Sequence, residues 1–187
     1  GFTGEVRVNS TGQATMRASG DLNISGSAAQ LNLRANEITQ HGALSVGGES
    51  MLRASQVTLG DSENDFAGNV ALVVTGEATL NDKNNLSVGG STGATNLTAV
   101  GSVQLNSLTA ESLNVTATRV AQSGALTVQQ GTALNAATVQ LADPSNNFGG
   151  NVALNNVTNA QLSDANTLTL SGQVGTLTAT AVNINQT

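Results

Sequence analysis

A motif built around phenylalanine returns three times with its register intact, and no other feature restricts the fold as much. It reads Phe2-Thr3-Gly4-Glu5-Val6, then Asn64-Asp65-Phe66-Ala67-Gly68-Asn69-Val70, then Asn146-Asn147-Phe148-Gly149-Gly150-Asn151-Val152. Twelve residues after each Phe stands an Ala (Ala14, Ala78, Ala160), and two further on a large aliphatic (Met16, Leu80, Leu162). Aliphatics paired two apart follow (Leu22/Ile24, Leu86/Val88, Leu168/Leu170), and each block closes on a Gly: Gly26, Gly90 and Gly172. Self-similarity over tens of residues points to a solenoid, and so to an extended surface rather than a pocket. It divides one continuous segment, residues 1–187, into long repeats 1–63, 64–145 and 146–187.

The spacing shows a smaller unit inside the repeat. The interval from Phe66 to Phe148 exceeds that from Phe2 to Phe66 by about 18 residues, close to the shortest solenoid repeats. The stretch Ile38-Thr39-Gln40-His41-Gly42-Ala43-Leu44-Ser45-Val46 matches Val120-Ala121-Gln122-Ser123-Gly124-Ala125-Leu126-Thr127-Val128, but the second begins one such unit further beyond its Phe than the first. Beyond that point the copies resynchronise. The middle copy has gained one whole unit, which a globular core rarely accepts and a stack of turns accepts readily.

Apolar residues come as pairs around one polar residue: Leu31-Asn-Leu33, Leu44-Ser-Val46, Val57-Thr-Leu59, Val103-Gln-Leu105, Val139-Gln-Leu141. This period of two marks strands with one buried face, and no helical periodicity competes with it. Gly, Asn, Asp and Ser fill the intervals where turns are needed. The expectation is an all-β chain, a parallel β-helix of about nine coils, on the order of 43 Å long at ~4.8 Å per coil.

Composition narrows the function. Aromatic residues are 2% of the chain, with no Trp or Tyr, and charged residues are 10%. A net charge of -6 argues against nucleic acid as a partner, since phosphates need a Lys/Arg surface. No apolar run approaches the length of a membrane span. The chain opens and closes inside a repeat, which implies a segment of something longer. The absence of Cys suits a bacterial surface protein that crosses a membrane unfolded.

The Asn-x-Phe-x-Gly-x-Val motif, with Asp82-Lys83-Asn84-Asn85-Leu86-Ser87-Val88 and Asp164-Ala165-Asn166-Thr167-Leu168-Thr169-Leu170, resembles the repeats of filamentous haemagglutinin-like exoproteins, the adhesins of two-partner secretion. The resemblance covers essentially the whole chain. It implies a right-handed parallel β-helix, export through a dedicated outer-membrane pore, and a secreted rod at the bacterial cell surface or in the extracellular matrix. The implied role is adhesion or biofilm cohesion, through a host-cell or matrix receptor such as a polysaccharide, or the stalk of a contact-dependent toxin. The Asn-Pro motif of the family's secretion domain is missing; the only Pro is Pro144.

Residues with chemistry to offer are few, and each has a structural explanation. His41 is the only histidine; its counterpart is Ser123, and with no Cys and no second His no nucleophile–base pair is expected around it. The run Asp61-Ser62-Glu63-Asn64-Asp65 has three carboxylates that could face calcium, but its counterpart Asp143-Pro144-Ser145-Asn146-Asn147 has one, as expected of a solvated loop. Asp82 and Asp164 stand two before Asn84 and Asn166, as Asx turns require. Arg7, Arg17, Arg34 and Arg53 cluster early, with only Lys83 and Arg119 beyond; dispersed solubilising charge is the expectation, and a shared face for anionic sugar the alternative. The seven Asn-x-Ser/Thr triplets, at Asn9, Asn23, Asn85, Asn96, Asn114, Asn156 and Asn185, are expected at outward rungs. Phe2, Phe66 and Phe148 are expected to plug a wide corner of the coil. No catalytic, cofactor-binding or metal-binding residue is assigned, and the isolated segment is expected to be monomeric. The competing class, a carbohydrate-active β-helix enzyme (a lyase or hydrolase), needs a carboxylate pair across a groove and aromatic platforms, and the sequence offers neither.

Overall fold

The computed structural model describes residues 4–187, and among them every regular element is a β-strand, paired in parallel with its neighbours. Phe2 lies outside the described residues. Two parallel ladders alternate along the chain. The rungs of the first run through the buried Leu22, Ile38, Val57, Ala78, Thr95, Leu113, Thr132, Val152 and Leu170 to an exposed Gln186. The second runs Ala14, Leu31, Ser50, Val70 and Val88, and then, two residues earlier on the same strand, from Leu86 through Val103, Val120, Val139 and Ala160 to Leu177. The mean step between first-ladder rungs is about 18 residues, so the chain makes about ten coils, against the nine expected. The rod is ~48 Å long at ~4.8 Å per coil.

The period-two reading carries through. Leu31, Leu33, Val57, Leu59, Val103, Leu105, Val139 and Leu141 are all buried, and they join one continuous hydrophobic column. The residues between them face outward and stack in their own columns; one runs Thr39, Thr58, Thr79, Asn96 and Asn114. Asn23, Asn96 and Asn114 of the glycosylation-like triplets occupy such outward rungs. Each fully buried Leu or Val stabilises the column by about 1.5–3 kcal/mol. The final coil leaves Leu177, Val182 and Ile184 exposed.

Register explains the internal repeat in a way that spacing alone does not. The inward residues Ile38, Ser50, Val57, Val70, Ala78 and Leu86 follow one another at the same unequal intervals as Val120, Thr132, Val139, Val152, Ala160 and Leu168. Yet Ile38 belongs to the first ladder and Val120 to the second. The offset between the two copies is about four and a half coils, so equivalent residues lie on opposite ladders.

The longest intervals, Ile38 to Ser50 and Val57 to Val70, are long because they hold a third side. Short strands stack there as Ala28, Val46 and Phe66 in one copy, and as Ala110, Val128 and Phe148 in the other. Side chains grow from Ala to Val to Phe as the third side reaches its last rung. Phe66 and Phe148 are buried at that rung, filling the wide corner as expected.

Gly26, Gly90 and Gly172, which close the sequence blocks, all have positive φ (106°, 115° and 99°) and adjoin the places where ladder register shifts. A Cβ on Gly90 would stand 2.1 Å from the carbonyl oxygen of Leu72, and Gly26 and Gly172 face Val8 and Leu154 in the same way. Gly90→Ala is therefore expected to destabilise the fold by more than about 2 kcal/mol. Gly12→Ala, with nothing within 4 Å of the added atom, should change stability by less than about 0.5 kcal/mol. Urea melts of the two variants check this; equal effects would remove the backbone argument.

Candidate functional site

The repeated polar motif assembles at the corner where the third side ends. Asn64 is fully buried, and all its side-chain hydrogen-bonding groups are used. Its Oδ1 accepts from the Leu44 N–H at 2.8 Å and from Gln40 Nε2 at 3.0 Å, while its Nδ2 donates to Gln40 Oε1 at 3.0 Å and to the Leu59 carbonyl at 3.1 Å. Asn146 repeats this with Leu126, Gln122 and Leu141 at 2.8–3.2 Å. Gln40 and Gln122 sit in the matching nine-residue stretches, but nothing in the sequence marks them as partners of an Asn more than one coil later.

Asp82 completes the corner from the next coil. That coil runs directly from Ala78 to Leu86 with no third strand between them, so the Phe66 N–H has no carbonyl above it. Asp82 Oδ2 accepts this N–H at 2.7 Å, and Oδ1 accepts from the Asn84 N–H at 2.6 Å, the Asx turn expected from spacing. Asp164 serves Phe148 and Asn166 at 2.7 and 2.6 Å. The acidic run lies beside this corner. Asp61 Oδ1 accepts from the Glu63 N–H at 2.9 Å, and Asp65 pairs with Lys83 at 3.0 Å. Its aspartates are engaged in a turn and an ion pair, and among the described residues no acidic, His or Cys cluster converges as metal ligands would.

His41 is better connected than its sequence context suggests. The spacing offered it no partner, but the fold places Ser25 Oγ 2.9 Å from Nε2 and Asn23 Oδ1 3.2 Å from Nδ1. With Nδ1 protonated, Nε2 would accept from the Ser25 hydroxyl, the arrangement of a nucleophile and its base. Glu5, two coils below His41, also approaches Nε2 at 3.5 Å. Ser25 is only 8% exposed, and the contacts of His41 with Asn23, Ser25 and Glu5 tie the first three coils together.

The arginines are not dispersed. Arg17, Arg34 and Arg53 are successive partners on adjacent parallel strands and form an exposed column; only Arg7 stands apart, beside Ser25. None of the three is in an ion pair among the described residues, where His41–Glu5 and Lys83–Asp65 are the pairs present. A shallow groove of about 320 Å³ runs along the same face, with Gln13, Gln30, Asn32, Asn69, Arg53 and the acidic Glu49 in its lining. Its equivalent in the next copy is about 360 Å³ and is lined by Asn114, Thr132 and Asn151. Ser50 and Thr132, equivalent rungs lining the two grooves, have buried hydroxyls without hydrogen-bond partners.

Two outcomes test the corner. Asn64→Ala would strand the Leu44 N–H, the Leu59 carbonyl and the Gln40 amide, and should lower stability by about 3 kcal/mol or more in urea melts. A loss below about 1 kcal/mol would show that water replaces the amide. Burial raises the Asp82 carboxyl above its ordinary value of 3.8, against the lowering effect of the Phe66 and Asn84 N–H groups. A raised folded value makes its contribution to stability full below the ordinary value and lost as pH rises through the folded one. The stability of the parent chain minus that of Asp82→Asn should therefore fall as pH rises above the ordinary value of 3.8, and a difference that rises instead would reverse the assignment.

Neither the curated proteins nor the solved structures contain a match to this chain. A family model does match, over residues 3–73 and 92–155. Both matched stretches end seven residues past a buried phenylalanine, Phe66 or Phe148, so the family unit ends just beyond the corner where the third side closes. The matches cover well over half of the chain, which belongs to the family described as Repeats of unknown function (DUF5649).

Proposed function

We propose that this chain is a structural rod segment of a secreted bacterial surface adhesin, mediating attachment to cells or to biofilm matrix. The observation that carries the reading is how the repeated motif is used. Its Asn, Phe, Asp and Gly hold coils together, while the outward columns are free to vary. A rod needs an unbroken ladder and a column of buried aliphatics, and both run through the described residues. The resemblance of the Asn-x-Phe-x-Gly-x-Val blocks to two-partner-secretion adhesins supplies the setting: export through an outer-membrane pore and display on the cell surface. In this reading the chain carries no catalytic step.

Deleting the encoding gene from its bacterium should reduce attachment to surfaces or to matrix, and antibodies to this chain should label intact cells. Unchanged attachment together with unlabelled cells would reject the adhesin. Release of reducing ends from a polysaccharide by the purified chain would replace it with the enzyme reading.

A further inference from the structure

We propose that the face carrying Arg17, Arg34 and Arg53 binds an acidic, carboxylate-bearing polysaccharide laid along the rod axis. The inference deepens the adhesin reading, and rests on it, by naming the ligand class of one face.

The arginine column costs the fold stability. The three arginines stand on adjacent rungs whose backbones are ~4.8 Å apart, and like charges directly opposite one another weaken a sheet. No acidic side chain pairs with them among the described residues. The fold does not require them. In the next copy Arg34 is replaced by Thr116 and Arg53 by Asn135, while Asn81 stands where Arg17 would recur. The same rungs therefore fold with neutral residues, and the column is an addition to one stretch of the surface.

The geometry selects the ligand. A single small anion reaches one or two of these groups, whereas a linear polymer running across the strands can meet all three. Guanidinium forks match planar carboxylates with two parallel hydrogen bonds. Alongside them the groove presents the amides of Gln13, Gln30, Asn32 and Asn69, donors and acceptors suited to sugar hydroxyls. Duplex nucleic acid would set two rows of phosphate against a chain of net charge -6, and single strands would find no Trp or Tyr to stack on. One narrow uronate chain meets a single carboxylate in this groove, Glu49, against three guanidinium groups.

The test uses this chain, alginate oligosaccharides as the uronate probe, and isothermal titration calorimetry. Binding should occur, weaken with added salt, and drop by about tenfold or more in Arg17→Gln/Arg34→Gln/Arg53→Gln. The three positions are exposed and their neutralisation relieves like-charge repulsion, so circular dichroism should match the parent and the melting temperature should equal or exceed it. Arg7→Gln/Arg119→Gln should bind as the parent does. Replacing the three arginines by Lys keeps the charge and removes the fork, and should give an intermediate loss; full retention would reject forked carboxylate recognition. Equal binding to neutral dextran, tighter binding to dextran sulfate or duplex DNA, or no binding to alginate would each overturn the proposal. Failure to bind alginate, with bacterial attachment still dependent on the gene, would remove this ligand and leave the adhesin standing. Alginate binding without any attachment phenotype would do the reverse.

Discussion

Every backbone donor and acceptor in a coil has to be met by the coils on either side of it, and the rest of this structure follows from that requirement. Where successive coils have the same number of sides, the parallel ladders meet it without help. Trouble arises when a third side stops, because the last short strand then presents groups to a coil that passes it by. Asp82 and Asp164 answer this by accepting the phenylalanine N–H groups that would otherwise be orphaned. Asn64 and Asn146 do the same for the N–H groups of Leu44 and Leu126. The Asn, Phe and Asp that recur in the sequence are thus a single device for ending a strand stack.

Much of this was legible in the amino-acid sequence, because alternation of apolar and polar residues is a local property. The in-and-out assignment and the turns rest on spacings shorter than one coil, and the extra coil on a difference of about one coil between two repeat intervals. The face on which each repeat lands was not legible, since matching residues look alike whether their offset is a whole or a half number of coils. That is why Arg17, Arg34 and Arg53 read as scattered charges. Their separations in sequence are unequal, and only the ladder register turns them into one column. The Ser25–His41 contact was hidden for a related reason. His41 follows the register shift at Gly26, where simple counting along the strand fails.

The half-coil offset has a consequence for the surface. Corners built from Gln40, Asn64 and Asp82 and from Gln122, Asn146 and Asp164 keep the same hydrogen bonds while belonging to opposite ladders. The interior therefore accepts the same side chains from either face, whereas the outward columns differ. Arg34 and Arg53 on one face become Thr116 and Asn135 on the other, at rungs whose inward neighbours remain aliphatic. Such a rod separates the residues that specify its fold from those that meet its surroundings, and the second set can change one column at a time.

The same bonds limit where the rod can grow. Gln40 reaches forward to Asn64, and Phe66 to Asp82, and both contacts require their partners on neighbouring coils of one side. A coil inserted between Gln40 and Asp82 would pull these pairs apart and leave buried amide and carboxylate groups unmet, at about 1–3 kcal/mol for each. Between Leu86 and Val120 the side-chain bonds that cross coils, Asn106 to Ser87 and Thr118 to the Gly101 carbonyl, are part-buried or exposed, and no buried amide or carboxylate bridges coils there. The extra unit of the middle copy lies in that interval. Buried side-chain bonds that bridge coils thus mark the stretches where length is fixed, and stretches whose cross-coil bonds reach solvent are those where it can change.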